Sequence, residues 1–224
     1  DPSEIGMGVS VVYDWMYDEW TGQQRETIEK ALIKFQLEPA RAEYYSTASG
    51  VNSWTRVLHN WNAVCNGSAA ATSLALMDKY PEFCGEVSAL AIRGMEYMLR
   101  SFYPEGAWNE GPDYWCYMMQ YFSSFGATIQ NGYGTDFNLL KAPGLEKTAW
   151  YVFAINGPAG VYNFHDMAPS SSQVKVPYLF WLANTFQDSG AAGAFLGQLD
   201  RSGWSAGSAY NSYAVLFYNP RTLT

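Results

Sequence analysis

The chain has 224 residues, of which 48% are hydrophobic, 17% aromatic and 15% charged, so it is long enough to bury a substantial core. Its 13 basic and 21 acidic residues give a net charge of −8 without any basic stripe, which argues against a nucleic-acid partner. No apolar run reaches the ~18 residues of a membrane helix. The absence of a low-complexity tract or linker predicts one domain over residues 1–224.

Cysteine and histidine usage argues against a disulfide framework and against a metal centre. Three cysteines, Cys65, Cys84 and Cys116, are too few and odd in number for a set of bridges. The two histidines, His59 and His165, lie far apart and lack the spacing of a zinc site. The sequence therefore implies no metal and no cofactor.

Helical periodicity dominates the first half of the chain. The first helix is predicted from an apolar stripe made of Ile5, Val9, Val12 and Met16. A capping-box signature, Thr21 with Gln24, begins the second helix. A third helix is expected from near Asn60 to Lys79, and Pro81 opens a fourth that stops before Pro104.

The second half continues with helices interrupted by a long loop. Tyrosines from Tyr114 onward have helical spacing until Asn131-Gly132 breaks the segment. The segment from Glu146 to Ile155 suits a helix, although Tyr151-Val152-Phe153 suits a strand equally well. The remaining expectations are a Gly, Pro and Ser-rich loop over Gly157 to Val176 with a short strand at Val161 to Phe164, and helices at about Pro177 to Asn184, Ala191 to Leu199 and Ala209 to Phe217.

Helices of about fifteen to twenty residues, joined by loops, fit stacked antiparallel helix pairs. We therefore expect an all-α fold whose architecture is an α/α toroid, with a plain irregular bundle as the alternative. The loops at one end would then carry the polar and aromatic residues described next.

Two polar-aromatic clusters, about forty-five residues apart, are the strongest functional signal. Cluster 1 is His59 to Gly67, and cluster 2 is Gly106 to Tyr117. Aromatic rings stack on the apolar faces of pyranoses, while amides and carboxylates bond sugar hydroxyls. The two clusters together predict one cleft that holds a polysaccharide or oligosaccharide.

Four segments in order resemble heparinase II/III-like polysaccharide lyases, a group that includes alginate lyase-like and chondroitin AC lyase-like toroids. They are Val11 to Asp18, which resembles a "YDWLYD" helix, Asn60-Trp61-Asn62, Glu110 to Tyr117, and Gly160 to Asp166. The likeness covers roughly Gly6 to Leu199. It implies an incomplete α/α toroid followed by a β-sandwich domain, a secreted or periplasmic protein, and β-elimination at uronic-acid residues of an acidic polysaccharide.

The resemblance also implies that this chain is the toroid portion of a longer enzyme and packs on a C-terminal β-sandwich. The chain opens with Asp1-Pro2-Ser3-Glu4 and without a signal peptide, which suggests a processed chain. We expect little activity from these 224 residues alone, because the second domain would supply another wall of the cleft.

The lyase chemistry assigns roles to three residues. β-Elimination requires a group that neutralises the uronate carboxylate, and the resemblance puts Asn62 where the family has histidine. His59, one helical turn earlier, could supply the missing imidazole. The family's proton-transfer tyrosine matches Tyr114, with Tyr117 in reserve, although a phenol of pKa about 10 needs a nearby cation or strong donor to act near neutrality.

Further cluster residues are candidates for substrate binding, and each also has a structural interpretation. The binding candidates are Trp61, Asn66, Trp108, Glu110 and Tyr117. The structural alternatives are that Asn62 and Asn66 satisfy buried backbone at a helix start, that Tyr114 and Tyr117 are core rings, and that His59 and His165 are structural histidines.

Two other functions compete with the lyase. The first is a non-catalytic glycan-binding domain, favoured by Asn62 in the histidine's place and by the acidic surface. The second is an α/α-barrel hydrolase that uses Glu110 with Asp113 or Asp166. Inverting chemistry needs those carboxylates ~6.5–9.5 Å apart, and retaining chemistry about 5–5.5 Å.

Overall fold

The computed structural model describes residues 1–47, 53–158, 160–162, 164–166, 178–202 and 216–223. These residues are mostly helical, as predicted. Their contacts form two compact units: unit 1 comprises Asp1–Arg100 and Ser124–Leu139, and unit 2 comprises Ser101–Ser123 and Leu140–Thr224. The single domain and the toroid stay predictions.

Unit 1 contains five helices and part of a sixth, as far as the described chain shows. Their bounds are α1 Pro2–Trp15, α2 Gly22–Leu32, α3 Glu38–Tyr45, α4 Asn60–Ala75, α5 Pro81–Leu99 and, from Ser124 onward, α6 Pro112–Tyr133. The predicted capping box is confirmed, because Thr21 Oγ1 accepts from the Gln24 N–H at 3.3 Å and Gln24 Oε1 accepts from the Thr21 N–H at 2.9 Å. Pro81 opens α5, also as predicted.

The middle helix of unit 1 is α4, and small side chains let its neighbours approach it closely. Both α1 and α5 pack on α4. At Gly94 of α5, an added Cβ would lie 2.5 Å from Asn66 Oδ1 of α4, so only glycine fits there without movement. The buried positions of α4 are mostly Ala, Ser, Asn, Thr and Gly.

The apolar stripe of α1 lies on the surface of the described structure. Ile5, Val9, Val12 and Met16 are 66%, 37%, 47% and 45% exposed. The buried face of α1 consists instead of Gly6, Met7, Ser10 and Tyr13. Periodicity thus predicted the helix correctly, while the small residues determine which face packs on α4.

Unit 2 combines helices with a small two-stranded sheet. Its elements are the first half of α6, α7 Thr148–Ala154, α8 Leu179–Phe186, α9 Ser189–Ser202, and the antiparallel strands β1 Asn156–Gly157 and β2 Gly160–Val161. The strand alternative for Tyr151-Val152-Phe153 is wrong, because these residues belong to α7. Buried rings, among them Trp115, Phe122 and Phe180, form the core.

Other boundaries differ from the predictions. The predicted strand at Val161 to Phe164 is shorter and starts one residue earlier, as β2. Helix α6 runs through Asn131-Gly132 to Tyr133, because Gly132 faces Leu74 and tight packing there outweighs its helix-breaking tendency. Most of the predicted helix Ala209 to Phe217 lies outside the described residues. None of the described helices is both long and apolar enough to cross a membrane.

A buried carboxylate joins three parts of unit 1. Glu29 of α2 is 1% exposed and accepts hydrogen bonds from Tyr13 of α1 at 2.8 Å, from Lys79 Nζ at 2.5 Å and from the Tyr80 hydroxyl at 3.1 Å. Burial raises the pKa of Glu29, but these three donors outweigh burial and hold the pKa below its ordinary value. The group is therefore an ionised acceptor that ties α1 and α2 to the turn after α4.

Replacing Glu29 with Gln should lower the free energy of unfolding at neutral pH by about 2 kcal/mol, because charged hydrogen bonds are lost. The pKa of Glu29 is lower in the folded than in the unfolded chain, so its contribution is complete above the unfolded pKa. That contribution disappears as the pH falls through the folded pKa. Urea unfolding of both proteins across this pH range measures the difference.

The matched control is Glu26→Gln on the same helix. Glu26 pairs with Lys30 at 2.7 Å, and both side chains are exposed, so this change should alter stability little. Equal losses in the two variants, or a Glu29→Gln loss that persists at acid pH, would contradict the assigned role.

Candidate functional site

Cluster 1 begins α4 at the edge of a cavity in unit 1. His59 precedes the first helical residue, and Trp61 is 40% exposed. Both side chains line a cavity of about 490 Å³, together with Phe35 and Trp54. The structure thus brings two of the predicted site residues together with two aromatic residues that lie outside the predicted clusters.

Asn62 and Asn66, in contrast, lie in the interior of unit 1. Both are 0% exposed. The Asn62 amide donates to the Trp54 carbonyl at 3.0 Å, and the Asn66 amide donates to the Asn62 carbonyl at 2.8 Å. The Tyr44 hydroxyl donates to Asn66 Oδ1 at 2.7 Å, and the Tyr44 ring packs edge-on against Trp54 with centroids 5.0 Å apart.

These contacts give the two amides a supporting role in this structure, and their predicted roles at a ligand stay predictions. Asn62 holds the backbone of Trp54, and Asn66 holds Tyr44, whose ring supports Trp54. An amide that is fully enclosed by protein cannot reach a uronate carboxylate without a rearrangement of the α4 start. The predicted amides therefore position an aromatic wall of the cavity.

The cavity carries acidic groups as well as rings. Asp1 and Glu43 line it, whereas no Lys or Arg does among the described residues. Cys65 also lines it, and burial raises the pKa of this thiol to about 11. A protonated thiol is a poor nucleophile, so Cys65 contributes packing at neutral pH.

Cluster 2 belongs to unit 2, and its tryptophan is part of the core. Trp108 is 1% exposed and packs against Phe102 with centroids 5.4 Å apart. The Tyr151 hydroxyl donates to the Trp108 carbonyl at 3.4 Å. Trp108 was predicted to stack on a sugar, but a ring enclosed on both faces presents none to a ligand.

Buried hydrogen bonds fix the loop that carries cluster 2. The Trp115 indole donates to Thr148 Oγ1 at 2.8 Å, and the Thr148 hydroxyl donates to the Gly106 carbonyl at 2.7 Å. Gly106 has φ +79°, and a Cβ there would lie 2.6 Å from the Thr148 nitrogen. The loop therefore depends on glycine at this position.

The remaining cluster 2 candidates are partly exposed at the start of α6. Glu110 and Asp113 are half-buried, as are Tyr114 and Tyr117. Tyr114 and Tyr117 pack edge-on with centroids 6.4 Å apart, and Tyr117 packs on Tyr121 at 5.3 Å. The tyrosines thus form a continuous aromatic row in unit 2.

The third carboxylate candidate lies beyond the strands of unit 2. Asp166 is exposed, and its Oδ2 lies 3.3 Å from His165 Nδ1. Across the part of the chain that the structure describes, no group of three or more His, Cys, Asp or Glu side chains could hold a metal ion. Because cluster 1 lies in unit 1 and cluster 2 in unit 2, the single cleft formed by both stays a prediction.

Sequence reasoning missed several cavity residues, namely Phe35, Gln36, Glu43 and Trp54. Trp54 lies only five residues before His59, so a wider window around cluster 1 would have included it. Pro39, shortly after Phe35 and Gln36, was a further signal of an irregular helix at that point.

No protein-family model matches the chain, and no curated protein matches it either. The resemblance to polysaccharide lyases therefore depends on the four quoted segments alone. The geometry of the cavity is the independent basis for a functional proposal.

Replacing Asn66 with Ala should destabilise the protein by about 3 kcal/mol, because the buried hydrogen bond to the Asn62 carbonyl is lost and the Tyr44 hydroxyl loses its acceptor. Thermal and urea unfolding measure this effect. The control is Asn109→Ala, which removes an exposed amide of cluster 2 and should change stability little. An Asn66→Ala protein as stable as the wild type would show that Asn66 has no supporting role.

Proposed function

We propose that unit 1 binds a glycan chain in the cavity beside cluster 1. The observation that carries the proposal is the grouping of Phe35, Trp54 and Trp61 around about 490 Å³ of space. This volume lies within the range of small-molecule sites, roughly 300–1,000 Å³. Aromatic rings with polar groups between them suit a pyranose, which has apolar faces and a polar edge.

The exposure and support of the rings favour a binding surface over a packing defect. Phe35 is 63% exposed and Trp61 is 40% exposed, and grouped apolar exposure of this kind is typical of interaction sites. The buried Asn62 amide and the Tyr44 ring hold Trp54 in place. A preformed wall reduces the ordering cost of binding.

For the fold, we propose that the helices belong to an incomplete α/α toroid of antiparallel pairs. The support is the packing of α4 on α5 across a short connection, together with the four resembling segments. A secreted or periplasmic location and a partner β-sandwich domain are part of the same proposal and depend on the resemblance.

Replacing Trp61 with Ala should weaken binding of an oligosaccharide about tenfold, because one stacking surface is lost. Isothermal titration of wild-type and variant chains against a panel of oligosaccharides measures the change. Trp15→Ala is the matched control, since Trp15 is 70% exposed on α1 and does not line the cavity. Equal affinity in the wild type and Trp61→Ala would remove the cavity from the proposal.

The second candidate function is β-elimination at a uronate by a longer protein that contains this chain. The observation that favours it is His59, which lines the cavity and could bond the uronate carboxylate. The resemblance alone gives Tyr114 the proton-transfer role, and this tyrosine is half-buried at the start of α6. This candidate does not require Asn62 at the ligand.

β-Elimination makes a specific prediction for that longer protein. It should release an unsaturated, ultraviolet-absorbing product from a uronate polysaccharide, and Tyr114→Phe should abolish the product because the phenol hydroxyl is lost. Tyr103→Phe, which changes a 72% exposed tyrosine outside the four resembling segments, is the control and should leave the rate unchanged. Release of saturated sugars alone would instead indicate a hydrolase.

A further inference from the structure

One wall of the cavity begins in an irregular turn and continues along α3. Residues Ile33–Leu37 form a π-helical turn, which contains the cavity residues Phe35 and Gln36. Such turns inside helices occur frequently at functional sites. The helix that follows directly, α3, carries the wall onward.

Glu43 belongs to the face of α3 that lines the cavity. Pro39 and Ala40 line it, and Glu43 lines it one helical turn later, four residues after Pro39 and three after Ala40. Residues with this spacing lie on the same side of a helix. The helical register therefore places the half-buried Glu43 on the cavity wall.

The carboxylate of Glu43 is available to a ligand. Across the described part of the chain it forms no ion pair and accepts no hydrogen bond. The nearest cation in sequence, Arg41, pairs instead with Glu86 at 2.8 Å. Neither oxygen of the Glu43 carboxylate is among the enclosed polar atoms that lack a partner, so both oxygens are open to solvent.

Stability does not explain a carboxylate at this position. Glu43 lies in the last turn of α3, which contains no basic residue. The C-terminal end of a helix carries a partial negative charge, so a second negative charge there is unfavourable. Residues that lower stability without a structural partner are typical of functional sites.

The charged side chains around the cavity are acidic. Asp1 lines it as well, and no Lys or Arg does among the described residues. Burial is the main cause that raises the pKa of the Cys65 thiol at the cavity wall, and the charges of Glu4 and Glu43 add to it. Negative charge at the wall attracts a cationic group and repels an anionic one.

The aromatic residues of the cavity suit a cation as well as the face of a sugar ring. A cation over the face of Trp, Tyr or Phe is attracted by the ring. Lys34 makes such a contact with Phe35, its Nζ lying 5.2 Å from the ring centroid, but Lys34 does not line the cavity. The other two rings, Trp54 and Trp61, are therefore where we expect the cation of a ligand.

We propose that the cavity binds a sugar unit with a positively charged amino group and that Glu43 recognises the ammonium group through an ion pair. This inference rests on the glycan binding proposed above and names the class of sugar, an amino sugar. The sugar ring stacks on the aromatic residues. Glu43 determines the specificity for the charged sugar over its neutral N-acetyl form.

The test compares sugars that differ in one substituent. The 224-residue chain is titrated with tetrasaccharides of glucosamine whose amino groups are free, trimethylated or acetylated, and with a tetrasaccharide of glucose. Histidine side chains titrate between about pH 5 and 8, and His59 lines the cavity. The trimethylated form, whose charge does not depend on pH, is therefore measured at about pH 8 as well, where histidine is ordinarily neutral.

The variants isolate the charge of Glu43. Glu43→Gln removes this charge and keeps the length of the side chain. Glu38→Gln is the matched control, because Glu38 is exposed on the same helix and does not line the cavity. The amino terminus is the same in all three proteins, so its charge does not enter the comparison. Thermal unfolding is measured in parallel.

We expect the free-amine and trimethylated tetrasaccharides to bind the wild type about tenfold more tightly than the acetylated form, because an ion pair and a cation–π contact are added. Glu43→Gln should remove most of this preference and leave the affinity for the acetylated form unchanged, whereas Glu38→Gln should keep the preference. Added salt should reduce the preference of the wild type, since salt screens the ion pair. Glu43→Gln should be at least as stable as the wild type.

Each contrary result has a distinct meaning. If no tetrasaccharide binds the wild type, the glycan binding proposed above fails. If the acetylated or glucose form binds as tightly as the cationic forms, glycan binding stands and the choice of an amino sugar is overturned. If Glu43→Gln keeps the preference, or both variants reduce it equally, the role of Glu43 is overturned. A Glu43→Gln protein less stable than the wild type would show a structural role and overturn the assignment too.

Discussion

Close packing around α4 is the constraint on which unit 1 depends. Almost every residue of this helix from Asn62 to Ser73 is buried, so α1 and α5 must approach its backbone closely. The approach works because the contacting residues are small, as Gly94 against Asn66 illustrates. Packing at this density leaves few ways to rearrange the helix. The two ends of α4 are consequently fixed points from which the rest of unit 1 is built.

Each end of α4 uses a buried polar group to hold a neighbouring segment. At its start, Asn62 bonds the Trp54 carbonyl and so aligns one wall of the cavity. Beyond its end, Lys79 and Tyr80 bond the buried carboxylate of Glu29 and so attach α2. Because α2 continues into the π-helical turn, the Glu29 contacts also limit where Gln36 lies. Stability and the shape of the cavity therefore share the same polar contacts.

Local signals in the sequence were sufficient for most helices. The Thr21 capping box and Pro81 each mark a helix start through chemistry within one turn of the chain, and both are confirmed. The exposed stripe of α1 and the continuation of α6 past Gly132 depend on partners distant in sequence, Gln36 and Leu74 among them. No periodicity within a single helix contains that information.

The candidate site likewise contains residues that the local sequence predicted correctly and residues whose position depends on distant contacts. Trp61 and His59 line the cavity as polar-aromatic composition indicated, yet Asn62, Asn66 and Trp108 are of the same residue types and lie in the interior. Amides and indoles can bind a ligand or form hydrogen bonds in the core, and the sequence pattern is similar in both cases. Gln36 was not predicted as a site residue, because its helical segment carries no polar-aromatic cluster. It lies in the π-helical turn and is among the residues that line the cavity.

Charge is the physical property that separates the family-based and the cavity-based interpretations of cluster 1. A lyase site must neutralise the negative charge of a uronate carboxylate. This cavity instead has the carboxylates of Asp1 and Glu43 on its walls. As an order of magnitude, two like charges about 6 Å apart repel by about 3 kcal/mol at an effective dielectric constant of about 20. The proposed glycan site therefore shares aromatic residues with cluster 1, while the carboxylates of Asp1 and Glu43 beside it count against a uronate as the ligand.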